Sequence, residues 1–364
     1  MSIIIIFILI SVLTTVKPAY RLSSKTITNL TSEVDSSVFL WLMGLENRML
    51  LDSLEMDQGS PSLSKLALET IMHIKPYDFA SLLQRETPGL ALFNNQIVVA
   101  GEGTNYANLS FESSPPLEDV LKDRIAVDDE EEKEIKEEEP KTEIDETARK
   151  TVFIYNTHNR ESFLPHLPDT DDPNSAYHQE VNIEKVSDHF AKILESKGIG
   201  TIVDKTDYMQ MLQDKGWNYS QSYKASRETV AEAVANEKDV QYLFDIHRDS
   251  LPRNLVTAEI DGKSYAKLLF VVGAEHPNYE KNLALATKLN SLIEAEHKQL
   301  TRGVITKKGA GSNGIYNQDL SDNAVLIEFG GYENTLDELY RTVEIVGEVF
   351  SDFYWEAEKV DANP

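Results

Sequence analysis

The sequence predicts an α/β domain: an open, mainly parallel sheet flanked by helices, preceded by a small, mostly helical region and an N-terminal hydrophobic segment. Three observations carry that expectation. Apolar runs at 151–155 (TVFIY), 240–246 (VQYLFDI), 267–272 (KLLFVV) and 324–327 (AVLI) have the length and composition of buried strands. Apolar residues at helical spacing lie between and after them: Val186, Phe190, Ile193 and Leu194 ahead of Gly198, then 278–297 and 334–358. A dense acidic block separates all of this from what precedes it.

Taken in order, residues 3–16 are mostly Ile, Leu, Val and Phe, and the first sixteen residues carry no charge. A full membrane span needs ~20 apolar residues, so 1–17 reads as a membrane anchor or signal-like segment. Lys17, Arg21 and Lys25 follow it and no basic residue precedes it. By the positive-inside rule that pattern holds the rest of the chain in the cytoplasm. A start upstream of Met1 would reconcile it with export, which is the expectation adopted. Residues 18–115 form a membrane-proximal region with helix-like spacing at 38–43 and 66–74 and a strand-like run at 96–100. Residues 116–149 read as an acidic, disordered linker: 128–140 (DDEEEKEIKEEEP) holds nine acidic residues and two lysines in thirteen positions. Such a block repels itself and has nothing apolar to bury. The folded catalytic domain is then expected at 150–358.

Composition narrows the chemistry. A formal charge of -26 over 364 residues argues against nucleic acid and against adhesion to anionic lipid. The absence of cysteine rules out disulfides and thiolate metal sites. Any metal must be held by His, Asp or Glu.

In parallel sheets, functional groups gather beyond the carboxyl ends of strands. The first strand runs out into His158 and Glu161, an H-x-x-E pair able to take one zinc ion from the same side, at ~2.0–2.2 Å each. The second ends on His247, with Asp245 on the same side of the strand and Asp249 beyond it; either aspartate is placed to orient the imidazole. The third ends on Glu328. A carboxylate buried there needs either an ion pair, with Arg160, Arg248 or Arg302, or a role as the base that takes a proton from water and returns it to a leaving amine. Three ligands, an open coordination position and a base at three strand ends make a zinc hydrolase site, with His158, Glu161 and His247 on the metal and Glu328 catalytic. His166 and His178 read as loop residues; His189, His276 and His297 read as structural or solvent-facing.

The segments VFIYNTHNRES (152–162), DIHRD (245–249), NQDLS (317–321), LIEFGG (326–331) and Glu333-Asn334-Thr335 together resemble the stage II sporulation protein P family. The resemblance implies a zinc N-acetylmuramoyl-L-alanine amidase with an α/β fold similar to zinc carboxypeptidases, and endopeptidase activity as well. By analogy with the broader amidase group, which takes its carboxylate ligand from near the next helix, it leaves Glu180 as the alternative to Glu161 on the metal. It further implies peptidoglycan as substrate during engulfment, a single N-terminal membrane anchor, an extracytoplasmic domain at the sporulation septum, and the stage II sporulation proteins D and M as partners. One position departs from the expected pattern: Asn156 stands where a second histidine, as in H-T-H, is expected. Two other readings stay open. One is a wall-binding scaffold with a degenerate site, for which Asn156 speaks. The other is a zinc carboxypeptidase on free peptides, which needs a basic group such as Arg248 or Arg302 for a terminal carboxylate.

Overall fold

Alternate side chains along the central strands pack into two different layers, and that division organises the fold. In this computed structural model the described residues are 95–109, 115–128, 149–309 and 311–361. They belong to one unit, Gly89–Pro364. The hydrophobic segment 1–17, the stretches 38–43 and 66–74, and the acidic run from 129 to 148 lie outside the described residues. Among the described residues no helix is long and apolar enough to cross a membrane.

The strands are β1 (Gln96–Ala100), β2 (Lys150–Tyr155), β3 (Gly200–Val203), β4 (Tyr242–Asp249), β5 (Thr257–Ile260), β6 (Lys263–Ala266), β7 (Leu268–Gly273), β8 (Thr301–Lys307) and β9 (Ala324–Gly331). A seven-stranded sheet has the order β1-β8-β7-β9-β4-β2-β3, while β5 and β6 form a separate hairpin. Pairing is parallel from β3 through β2 and β4 to β9, and between β7 and β8. It is antiparallel where β9 meets β7 and where β8 meets β1. The sheet is therefore mainly parallel, as expected, with one internal reversal and one antiparallel edge.

One face is covered by α2 (Glu184–Ser196), α6 (Tyr279–Glu296) and α7 (Leu336–Asp361). Their core takes in Val152, Ile154, Phe244, Ile246, Phe270, Val325 and Ile327 from the sheet, with Phe190 and Phe350 from the helices. Phe244 meets Phe190 at 5.5 Å and Phe350 at 5.1 Å between ring centroids, both edge-on. These are favoured aromatic geometries. The α2 stripe ends where expected: Gly198 adopts φ +80, a left-handed conformation that glycine takes at little cost just past a helix end.

The opposite face buries the alternate residues: Phe153, Tyr155 and Leu243 under Val230 of α4 (Ser222–Asn236), and Leu269, Val271, Ile305 and Leu326 near Tyr223. α3 (Tyr208–Lys215) precedes α4, and α5 (Arg253–Val256) precedes the hairpin.

The domain boundary differs from the expectation. β1 is an edge strand of the sheet itself, paired from Gln96 to Thr306 through Ala100 to Gly303. Leu109 is buried, and Arg302 Nη2 donates to the Asn108 carbonyl at 2.7 Å. Residues 115–128 are also folded onto the domain. α1 (Leu117–Val120) buries Val120 among Tyr208, Met209 and Leu212. The Val127 amide donates to the His166 carbonyl at 2.9 Å, and Asp128 pairs with Lys185. The folded unit thus starts before the acidic run. The physical reason is long-range contact: the pentapeptide of β1 is paired with β8 at the other end of the domain, and the short 115–128 segment is held by His166, Lys185, Tyr208, Met209 and Leu212, well beyond local reach. Close backbone approach seals the edge, since a Cβ on Gly303 would meet the Val99 carbonyl oxygen at 1.9 Å and the residue sits at φ +106.

A fragment of residues 150–364 should accordingly be less stable than residues 89–364. Losing the Asn108 carbonyl strips a buried guanidinium of one partner, about 1.5–3 kcal/mol. Losing the burial of Leu109 and Val120 adds roughly 1.5 kcal/mol or more for each. Thermal melts of the two fragments check this, and equal melting temperatures would show that the early segments contribute nothing.

Candidate metal centre

β2 delivers the chain into a turn that is fixed at nearly every residue. The Glu161 amide donates to the His158 carbonyl at 3.0 Å, closing the H-x-x-E turn, and the Ile183 amide donates to the Glu161 carbonyl at 2.8 Å. Arg160 grips Asp207 with Nε at 3.2 Å and Nη2 at 2.6 Å. Ser162 Oγ donates to the Val181 carbonyl at 2.5 Å. The turn therefore presents His158 and Glu161 on one side with little freedom.

Glu161 is the hub. Its Oε1 lies 3.5 Å from His158 Nδ1, and its Oε2 lies 3.4 Å from His247 Nδ1 and accepts from the Arg248 amide at 3.1 Å. One ligand atom from each of His158, Glu161 and His247 falls within 4.8 Å of the others. Both imidazoles thus offer the same nitrogen toward one carboxylate, a donor set suited to zinc. Behind His247, its Nε2 lies 2.9 Å from Asp245 Oδ1. Asp245 is held in turn by the Thr157 amide at 2.9 Å and the Thr157 hydroxyl at 2.8 Å. Of the aspartates proposed to orient His247, Asp245 makes that contact. Asp249 pairs instead with the fully buried Arg302.

The charges respond to one another. Burial pushes the Glu161 carboxyl up, but hydrogen bonds from His158 and His247 outweigh it and hold the group well below the usual carboxylate range. Burial pulls the His247 imidazole down, yet Asp245 and then Glu161 keep it well above its ordinary value. Glu328 pairs in register with His247 across β4 and β9. Burial first, and then the Asp249 charge, push its carboxyl up to about 8, and its Oε2 is buried without a hydrogen-bond partner. The ion pairs considered for Glu328 are not formed. Arg160 holds Asp207, and Arg302 holds Asp249 and the Asn108 carbonyl. Arg248 donates to the Ser162, Ala176 and Asp249 carbonyls at 2.8, 3.0 and 3.2 Å.

Other positions fall outside the cluster. Glu180 is exposed, with its amide bonded to His178 Nδ1 at 3.0 Å. His166 Nε2 accepts the Leu336 amide at 3.0 Å at the start of α7, and His178 bridges to the Arg124 carbonyl at 3.0 Å. Asn156, the departure from the expected motif, does not face the cluster. It continues the parity of Val152 and Ile154 into the α2 layer, where Nδ2 donates to the Ile246 carbonyl at 2.7 Å and Oδ1 accepts from Ser187 at 2.9 Å. Sequence reasoning passed over the aromatic surround: Tyr219 stacks on His158 at 4.7 Å, and Tyr223 meets His158 edge-on at 5.5 Å and His247 face-on at 6.3 Å. Two tyrosines four residues apart at a helix start were the available signal.

Comparison with known proteins gives three results. The sequence pattern of the family described as stage II sporulation protein P (SpoIIP) matches residues 77–351. Stage II sporulation protein P of Bacillus subtilis (strain 168) is 43% identical over 367 residues, covering 99% of this chain and 91% of the relative. Among solved structures, a metallo-carboxypeptidase from Burkholderia cenocepacia aligns over 60% of this chain and 59% of its own, at 12% identity and a TM-score of 0.31.

Two substitutions separate the two faces of the β2 end. Asp245→Asn should weaken zinc binding about 10–100-fold, because it removes the charge that orients His247. Asn156→Ala should leave zinc affinity unchanged and cost about 1–3 kcal/mol of stability, since it abandons two buried polar partners. Chelator competition and thermal melts on both variants distinguish these outcomes; a loss of zinc affinity in Asn156→Ala would contradict the placement.

Proposed function

The chain belongs to the stage II sporulation protein P family, and from that premise we propose that it is a zinc-dependent amide hydrolase that cuts peptidoglycan between N-acetylmuramic acid and the stem peptide. The observation carrying this reading is the juxtaposition of two Nδ1 atoms, one carboxylate and, in register with His247, a half-buried carboxylate whose Oε2 is buried and unpartnered. His158, Glu161 and His247 would hold the metal, and Glu328 would be the catalytic base.

A zinc ion held there supplies Lewis acidity, polarising the amide carbonyl and making water a nucleophile near neutral pH. The protein groups divide the remaining work. Asp245, fixed by Thr157, keeps His247 in the orientation that turns Nδ1 toward Glu161. Tyr219 and Tyr223 wall His158 against solvent on the α4 side. Glu328 Oε2 takes the proton of the attacking water and delivers it to the leaving nitrogen. Its raised proton affinity suits the second half of that task, and a cation at Glu161 favours the ionised form needed for the first.

The competing readings lose their supports. The scaffold reading leaned on Asn156, which is a buried hydrogen-bonding residue on the other face of the sheet. The free-peptide carboxypeptidase reading leaned on Arg248 or Arg302, and both are occupied by protein groups. We further propose that residues 1–17 anchor the chain in the membrane, that the domain works at the sporulation septum during engulfment, and that stage II sporulation proteins D and M are its partners. The family resemblance and the apolar N-terminal run support these points.

Digestion of purified peptidoglycan tests the reaction: freed stem peptides without new reducing ends are expected, whereas new reducing ends would identify a glycosidase. Glu328→Gln should lower the rate about 10²–10⁴-fold while zinc content and melting temperature hold. His158→Ala combined with His247→Ala should abolish stoichiometric zinc. Undiminished cleavage by Glu328→Gln would remove Glu328 from the mechanism.

A further inference from the structure

Tyr219 has two neighbourhoods. One face of its ring lies on His158 at a centroid distance of 4.7 Å and an interplanar angle of 30°. The same residue lines an open cavity of about 680 Å³ between the 115–121 segment and the end of α3. That volume lies within the range of small-ligand sites, ~300–1,000 Å³. The cavity therefore begins where the candidate metal centre ends.

Its lining discriminates between the two halves of the proposed substrate. Leu117, Leu121, Trp217 and Tyr219 supply apolar surface and ring faces. Gln213, Asn218 and Ser220 supply neutral amide and hydroxyl groups, Glu118 supplies one carboxylate, and among the described residues the lining holds no Lys, Arg or His. A stem peptide carries carboxylates and would need a cation here. A sugar with hydroxyl and acetamido groups on a flat apolar ring face needs what is present: rings to lie against and uncharged donors and acceptors. Outside the lining, Lys224 and Lys215, the latter paired with Glu228, rest their ammonium groups on the Trp217 ring at 3.9 and 4.7 Å, which fixes the orientation of that side chain. Gly216 at φ +62 turns the chain so that Trp217 and Tyr219 follow α3 directly.

We infer that the cavity between residues 115–121 and 213–220 is a saccharide subsite, which seats an N-acetylated sugar of the glycan strand beside the scissile amide. This rests on the peptidoglycan hydrolase reading and assigns the glycan to the Tyr219 side of the metal centre. It also gives the 115–121 segment, which lies ahead of the acidic run, a share in substrate binding.

The test uses the full chain loaded with zinc, titrated calorimetrically with N,N′-diacetylchitobiose and, separately, with a free stem tripeptide. Chitobiose should bind the wild-type chain, and Trp217→Ala should weaken it about tenfold with tripeptide affinity unchanged. Gln213→Trp, at an exposed helix position, should block the cavity from its rim with the same effect, so the conclusion survives if Trp217→Ala misfolds. Zinc content should match wild type in both. Absence of chitobiose binding, wild-type affinity in both variants, or a selective loss of tripeptide binding would each overturn the subsite. Saccharide binding that follows this pattern in a chain that cleaves no amide bond would support the subsite and separate it from a failure of the hydrolase reading.

Discussion

The constraint on which the rest of this structure depends is the burial of like charge. Glu161, Asp245 and Asp249 are buried and Glu328 is half-buried, with its Oε2 out of reach of solvent, around the carboxyl ends of β2, β4 and β9. Four carboxylates in such a place are sustainable only if each is neutralised, hydrogen-bonded or protonated. The surroundings answer them one at a time. Thr157 and His247 answer Asp245, Arg302 answers Asp249, and the two imidazoles answer Glu161. Glu328 is left over and holds its proton more tightly as a result. The donor atoms that remain turned toward one another are what a divalent cation would satisfy.

The reversal in the sheet explains how Arg302 comes to be in that company. β7 and β8 run opposite to β9 and β4, so the beginning of β8 lies at the edge where β4 and β9 end. A uniformly parallel sheet would place the start of β8 at the far edge, and the Asp249 charge would need another partner. The antiparallel pairing of β1 then closes over the other side of Arg302 through the Asn108 carbonyl. The early strand therefore reaches the site's electrostatics without touching a ligand.

Much of this was legible in the sequence, for reasons that can be named. β2, β4, β7 and β9 are apolar runs, and in β4 and β9 the polar residues Asp245, His247 and Glu328 fall at every second position, so period-two alternation placed them on one face. The pairing of His158 with Glu161 followed from turn spacing. β8 was not legible, because TRGVITK interrupts its apolar pattern with Arg302, Gly303 and Lys307, although every one of its residues is buried. β3 is only four residues long and follows a helix stop directly. Asn156 weighed toward a degenerate site because its neighbours in the motif, His158 and Glu161, belong to it; continuing the parity of Val152 and Ile154 by one more step sends it to the helical layer. The early segments were invisible because their stabilising partners lie far away in the chain.

The acidic run departs from the domain at Asp128, which is tied to Lys185, and returns at Arg149, which holds Glu358 at 3.0 Å. Both flanks of the run are thus moored to the same body. Severing the run once liberates neither side, because β1 and α1 stay embedded by their own contacts. The negative charge of residues 129–148 is therefore carried with the domain wherever it goes.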